Sequence, residues 1–221
     1  MELTVRLVID GLAALGTIGV AVLAIWGDKI RATLAPPKLR IDFPDCDSLR
    51  GHVARLSSPP GVTIAGGLPR VMWYTLKVVN ERVWLTCHNC RVLLMGISRR
   101  GPDGVYRPES FPVPRQFWWA PSESTPREVS LGREHVFDFG FLGEQPEAVF
   151  RPTLYSEPNE FPGYVGIKDS VRYSLAITAD NFHSPMYQVF EVSWDGMWSD
   201  NPDLMAKHLT IREVKDPTIA S

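Results

Sequence analysis

The chain has 221 residues, 44% hydrophobic and 22% charged, with 23 Lys and Arg against 25 Asp and Glu, and three cysteines. A near-neutral balance lacks the positive excess that neutralises phosphates, so nucleic acid is excluded as a default partner; an odd cysteine count is no disulfide framework and fits a reducing compartment. Collagen-like, coiled-coil and disordered compositions are also excluded, which leaves about one domain's worth of chain, able to bury roughly 70% of its unfolded surface.

From Gly11 to Gly27 the sequence carries no charge, and Leu7, Val8 and Ile9 extend the apolar run, interrupted only by Asp10. As a helix, Leu7 to Gly27 spans roughly 31 Å, which matches a hydrocarbon core of about 30 Å. The run predicts one transmembrane helix, with Asp10 one turn inside its start and Trp26 at the opposite interface. A cleaved signal peptide fits less well, because Glu2 precedes a lone Arg6 and the core runs straight into Trp26-Gly-Asp-Lys. A buried helix that is apolar all round is an alternative only within a large core. Arg6 stands alone before the run, whereas Lys29, Arg31, Lys38 and Arg40 follow it. The positive-inside bias therefore places a short N-terminus outside and the rest in the cytoplasm, at a cytoplasmic (inner) membrane. Ala13, Thr17 and Ala21 form a small-residue stripe through which helices, including a second copy of this one, could associate.

The expected organisation is a membrane helix with its juxtamembrane extension over 1–34, a β-sandwich domain over 35–214, and a flexible tail over 215–221. Ala35-Pro-Pro ends the helix, since proline cannot continue it. Leu39, Ile41 and Phe43 alternate with polar neighbours as in a half-buried strand, and 57–67 reads as a loop. Val71–Asn80 is the strongest strand, with Tyr74, Leu76 and Val78 on one face and Thr75 and Lys77 on the other. Strands are also predicted over Cys90–Ile97, Val136–Phe141, Val171–Thr178 and Tyr187–Trp194. Ten of the 19 prolines lie between Gly101 and Pro162, where Phe111–Trp119 could be an edge strand. Near the end, Asn201 can cap, Pro202 fits the first helical position and Asp203 suits the helix dipole, predicting a short helix to His208; a last strand follows over Thr210–Val214. The fold class is mainly β: one N-terminal transmembrane helix, then an antiparallel, immunoglobulin-like sandwich with a short C-terminal helix.

Chemistry-bearing clusters are few. Cys87, His88 and Cys90 resemble half a zinc site, but the only other cysteine is Cys46, and positions three apart in a strand face opposite ways. The structural reading, Cys90 as a small core residue opening a strand, outweighs the metal one. The acidic, tryptophan-bearing corner Ser193–Asp203 does not match a calcium loop; Asp195-Gly196 reads as a turn and the tryptophans as packing. Phosphate-loop, Gly-x-Ser-x-Gly, His-Glu-x-x-His and Gly-x-Gly-x-x-Gly signatures are all absent. Trp73, Trp84, Trp118 and Trp119 are candidate binding residues, since four large aromatics cannot all be central core in a small sandwich; the proline-rich segment folding over a sheet face is an equal account.

Three stretches together resemble a known pattern: Ile25–Arg31 running into Ala35–Ile41; Tyr74–Asn80 followed by Asn89–Leu94; and Ala179–Asn181 followed by Glu191–Gly196 and Trp198. The chain resembles an uncharacterised bacterial family of single-pass membrane proteins with an N-terminal helix and a β-sandwich-like domain. That resemblance implies architecture and a bacterial source and carries no site residues. The expected function is a non-enzymatic, membrane-anchored recruitment module that needs no cofactor and engages the lipid bilayer and a protein partner. A structural subunit associating through its helix, and a cryptic metal-dependent enzyme, are the alternatives.

Overall fold

The computed structural model describes residues 14, 16–22, 26–27, 37–44, 51–55, 70–111, 113–121 and 127–214. Chain contacts divide the protein into Met1–Pro37 and Lys38–Ser221. In the first unit, residues 14, 16–22 and 26–27 are helical. Among the described residues no helix is long and apolar enough to cross a membrane. Most of the expected span, with Arg6, Asp10, Ala13, Lys29 and Arg31, lies outside the described residues, as do Cys46, the loop over 57–67 and the tail after Val214.

The second unit is mainly β. Its strands are β1 (Leu39–Asp42), β2 (His52–Arg55), β3 (Arg70–Asn80), β4 (Cys87–Arg100), β5 (Tyr106–Pro108), β6 (Arg115–Gln116), β7 (Trp118–Trp119), β8 (Val129–Leu131), β9 (Glu134–Gly143), β10 (Arg151–Pro152), β11 (Asp169–Ala179), β12 (Phe182–His183), β13 (Gln188–Trp194) and β14 (Leu209–Val214), with one helix, α1 (Pro202–His208), before the last strand. All pairings between them are antiparallel. One sheet runs β1-β3-β9-β10, with β2 beside β3 and β7 beside β9; the other runs β14-β13-β11-β4-β5, with β12 beside β11 and β6 and β8 beside β4.

The inner faces of the two sheets share one core. Phe139 of β9 lies 5.7 Å from Tyr173 of β11, 6.1 Å from Phe190 of β13, 5.8 Å from Phe117 and 5.7 Å from Phe150. Alternation in β3 is as the sequence predicts: Tyr74, Leu76 and Val78 are buried while Thr75 and Lys77 are not fully so. Bulges break the period elsewhere. The β3–β9 register slips between Tyr74 and Thr75, leaving Phe139 as the extra residue. Phe137, Phe139 and Leu142 thereby all point inward, and Phe141 turns outward against Trp73.

The edge of the first sheet is closed by a side chain of the second. The Gln188 amide donates to the Ile41 carbonyl (2.9 Å) and its oxygen accepts the Ile41 N–H (2.6 Å), so it stands in for a neighbouring strand. The C-terminal helix forms as its sequence predicts: Asn201 Oδ1 accepts from the N–H groups of Asp203 and Leu204, and Pro202 opens the first turn. The proline-rich Phe111–Trp119 does not form one edge strand. It contributes β6 to one sheet and β7 to the other, crossing between them at buried Phe117.

Removing the ring at the centre of this core should cost about 4 kcal/mol. Phe139→Ala is therefore expected to shift chemical denaturation strongly, whereas exposed Val83→Ala should stay within about 0.5 kcal/mol of wild type. Equal, small effects would show that the core is not centred on this ring.

Candidate functional site

An open groove of about 850 Å³ lies at one end of the β14-β13-β11-β4-β5 sheet. Antiparallel pairing brings four chain segments to it: the end of β4 with the turn to β5, the start of β11, the end of β13, and the junction of α1 with β14. Two positions there have left-handed backbone, Gly104 (φ 80°) and Lys168 (φ 58°). Lysine bears a strain at such a position that glycine does not, and here it stands exposed in the turn before β11, lining the groove.

The floor is a chain of hydroxyls. Tyr106 Oη lies 2.6 Å from Ser170 Oγ, which lies 2.6 Å from Ser193 Oγ. Beside it on the same outer sheet face runs a cross-strand charge ladder. Arg172, Glu191 and Arg212 stand opposite one another on β11, β13 and β14. Glu191, 4% exposed, accepts from Arg172 Nε (3.0 Å) and Arg212 Nε (3.0 Å), and the Arg172 guanidinium lies 3.7 Å over the Tyr106 ring. Burial works to raise the Glu191 carboxyl, but hydrogen bonds from Arg172, Arg212 and Tyr106 outweigh it and hold the group below its ordinary value.

Arg99 shapes the wall behind the groove. It pairs with Asp169 and donates to the carbonyls of Pro162 (2.6 Å) and Tyr164 (2.9 Å), fixing the loop that leads into β11. At the opposite wall Asp195 Oδ2 and His208 Nδ1 lie 2.8 Å apart. Partial burial works to raise Asp195, but bonds from His208 and the Met197 N–H lower it overall. A carboxylate–imidazole pair is one component of a general base, yet among the described residues no hydroxyl is hydrogen-bonded to His208. Ser170 and Ser193 are committed to each other and to Tyr106.

The groove's charge is unequal. Its acids are engaged: Asp103 with Arg107, Asp169 with Arg99, and Asp195 with His208. Three exposed cations lining it, Arg100, Lys168 and Lys207, have no ion-pair partner among the described residues. The apolar side chains of Ile167, Met197 and Leu204 stand exposed on the same turns and on α1.

The residues singled out by sequence lie elsewhere. Cys87 and Cys90 both face the core, because β4 bulges between them: Cys87 pairs with Leu131 and Cys90 with Val129, and Asn89 takes a positive φ of 54°. Positions three apart here do not face opposite ways, which corrects the expectation drawn from strand period. The Cys90 thiol donates to the Cys87 carbonyl, and its pairing with Cys87 together with burial pushes it above the ordinary thiol range. His88 points outward to Ser130 Oγ at 3.2 Å, so the three side chains do not converge. Among the described residues no three His, Cys, Asp or Glu gather as a metal site. Trp119, 1% exposed, is corrected from candidate surface anchor to core. Trp118 is half-buried and stacked on Tyr155 at 3.6 Å, and Trp73 is half-buried against Phe141 at 4.9 Å. Trp84 alone of the four is exposed, at 66%. Thr17 and Ala21 lie on the described helical residues, and Ala13 lies outside them.

Sequence reading missed Arg100, Lys168 and Lys207 because lone surface cations look alike until topology gathers them. The turn signal Gly101-Pro-Asp-Gly104 was the only local hint. No protein-family model matches the chain, and no curated protein or solved structure matches it either.

Since Glu191 binds its proton less readily folded than unfolded, its stabilisation is whole above about pH 5 and is lost as pH falls through its ordinary value of 4.5 and below. Glu191→Gln should lower stability by about 3 kcal/mol at pH 7, because the charged partner that both Arg172 and Arg212 bond is removed, and the gap to wild type should narrow below about pH 4. Unfolding curves taken across that range check it; a gap independent of pH would remove the charge ladder as the cause.

Proposed function

We propose that this chain is a membrane-anchored, non-enzymatic binding module. One helix over 7–27 spans the inner membrane of a bacterium, with a short N-terminus outside. It carries an immunoglobulin-like sandwich in the cytoplasm, and the end groove recruits an acidic segment of a partner protein. The observation that carries the groove's role is the set of three cations, Arg100, Lys168 and Lys207, that have no ion-pair partner among the described residues, around acids that are each paired within the fold. Charge complementarity of this kind sets partner choice and association rate. The exposed Ile167, Met197 and Leu204 favour a protein segment over a small anion, because a polypeptide can cover apolar area as well as supply carboxylates.

Support for the anchor comes from the length of the uncharged run and the basic residues after it. Ile18, Val20 and Trp26 are each more than half exposed, as lipid-facing side chains would be. The resemblance to single-pass bacterial membrane proteins points the same way. A reporter active only in the cytoplasm, fused after Ser221, should be active; activity only of an exported reporter would refute the orientation.

A labelled Asp/Glu-rich peptide should bind the full chain in mild detergent, read by fluorescence anisotropy. Reversing Arg100, Lys168 and Lys207 to Glu together should weaken binding by about tenfold or more, and added salt should weaken the wild type alone to a similar degree. Binding that is indifferent to both would sink the groove as the recruiting site.

A further inference from the structure

At the end of the sandwich opposite the groove, Asn80 closes β3 while 1% exposed. Its amide is fully used. Nδ2 donates to the carbonyls of Leu85 (2.7 Å) and Gly132 (3.0 Å), and Oδ1 accepts the Arg82 N–H (3.0 Å). The Asn80 N–H itself donates to the Arg133 carbonyl at 2.7 Å. One buried side chain thus clips the turn between β3 and β4 to the turn between β8 and β9. Leu85 packs inward, and Val83 and Trp84 are turned out, 54% and 66% exposed. Arg133 stands exposed on the neighbouring turn with no ion-pair partner among the described residues. Lys38, where the β unit begins, is at this same end: its carbonyl accepts the Glu81 N–H at 2.9 Å and its amine pairs with Glu81 at 2.6 Å.

The β unit begins at this end, with Lys38 beside Glu81, so the polypeptide enters it next to the Val83–Trp84 turn and at the far end of the strands from the groove. A tryptophan on a turn clipped by Asn80, a valine, and an arginine with no ion-pair partner among the described residues have the chemistry of an interfacial contact: an amphipathic ring for the headgroup level, an apolar neighbour, and a cation for lipid phosphate.

We propose that the Val83–Trp84 turn, with Arg133 beside it, docks on the surface of an anionic bilayer, orienting the sandwich so that its groove projects into the aqueous phase. The proposal rests on the reading of the N-terminal run as a membrane anchor. Asn80 is the positioning residue of the contact, since it holds the two turns side by side.

The full chain is reconstituted into vesicles of phosphatidylcholine and phosphatidylglycerol with brominated acyl chains, and tryptophan quenching is compared for wild type, Trp84→Phe and Trp26→Phe. Quenching in the wild type that falls by roughly half in Trp84→Phe is the expected result, Trp26 accounting for the rest. A quenched fraction unchanged by Trp84→Phe overturns the bilayer contact, and its loss in Trp26→Phe would show that the anchor itself stands. No quenching in the wild type overturns both. Trp84 is exposed, so its replacement leaves the fold intact; Asn80→Ala, which frees the turns without touching the ring, should reduce the Trp84-dependent quenching as well.

Discussion

Everything in the β unit is arranged around the ring of Phe139. It contacts rings from β11, from β13, from the crossing segment at Phe117 and from Phe150, so both sheets and the long connections between them are referred to one side chain. A close-packed interior tolerates such a ring only in a fixed place. The β9 bulge provides it, at the expense of regular alternation on either side. Just beyond, Gly140 lets β10 and Phe150 approach: a Cβ there would lie 2.4 Å from the Phe150 ring. A single aromatic contact centre therefore sets the spacing of the sheets, the register of β3 with β9, and the route of the proline-rich chain.

The sandwich still has two open flanks, and each is closed by an amide. On one, Gln188 reaches from β13 to both backbone groups of Ile41. On the other, buried Gln116 donates to the Arg127 carbonyl (2.6 Å) and accepts from the Arg127 guanidinium (3.1 Å), holding the crossing segment against the chain that follows it. A glutamine carries one acceptor and two donors at the end of a flexible stem, which suits it to satisfy a strand edge where no strand is available. Asn80 does the same for the two turns at the Lys38 end. Among the described residues, Asn80 and Gln116 are two of the five buried polar side chains, and both act where a strand ends or turns.

Sequence alone shows the strands that repeat with period two and the helix whose cap is local. Leu39–Asp42, the β3 pattern and the Asn201–His208 helix depend on neighbours within a few residues, and those neighbours were in view. The bulges were not, because nothing in Cys87–Cys90 or around Phe139 marks an extra residue until the partner strand is known. The same blindness turned Trp119 into a surface candidate: a Trp-Trp pair looks the same whether it lies on one face or, as here, alternates between a half-buried and a buried position. The site was less legible still. Its cations come from residues 100, 168 and 207, and only antiparallel topology makes the end of β4, the start of β11 and the end of α1 neighbours.

That topology also separates the two ends chemically. Strands that all run antiparallel put every turn at one end or the other, so each end collects the turn residues of several distant segments. At the Lys38 end the collected turns are clipped together by Asn80 and present Trp84 on a fixed support. At the groove end the turns carry left-handed residues, Gly104, Lys168 and Gly196, and three cations that have no ion-pair partner among the described residues gather beside linked hydroxyls. A pre-organised apolar tip suits contact with a continuous surface, where orientation matters more than selection. Unpaired charges on turns suit selection among soluble segments, because they gain most from a complementary partner and least from the fold itself. One sheet arrangement thus supplies two surfaces of different character without requiring either to share residues with the core that holds them apart.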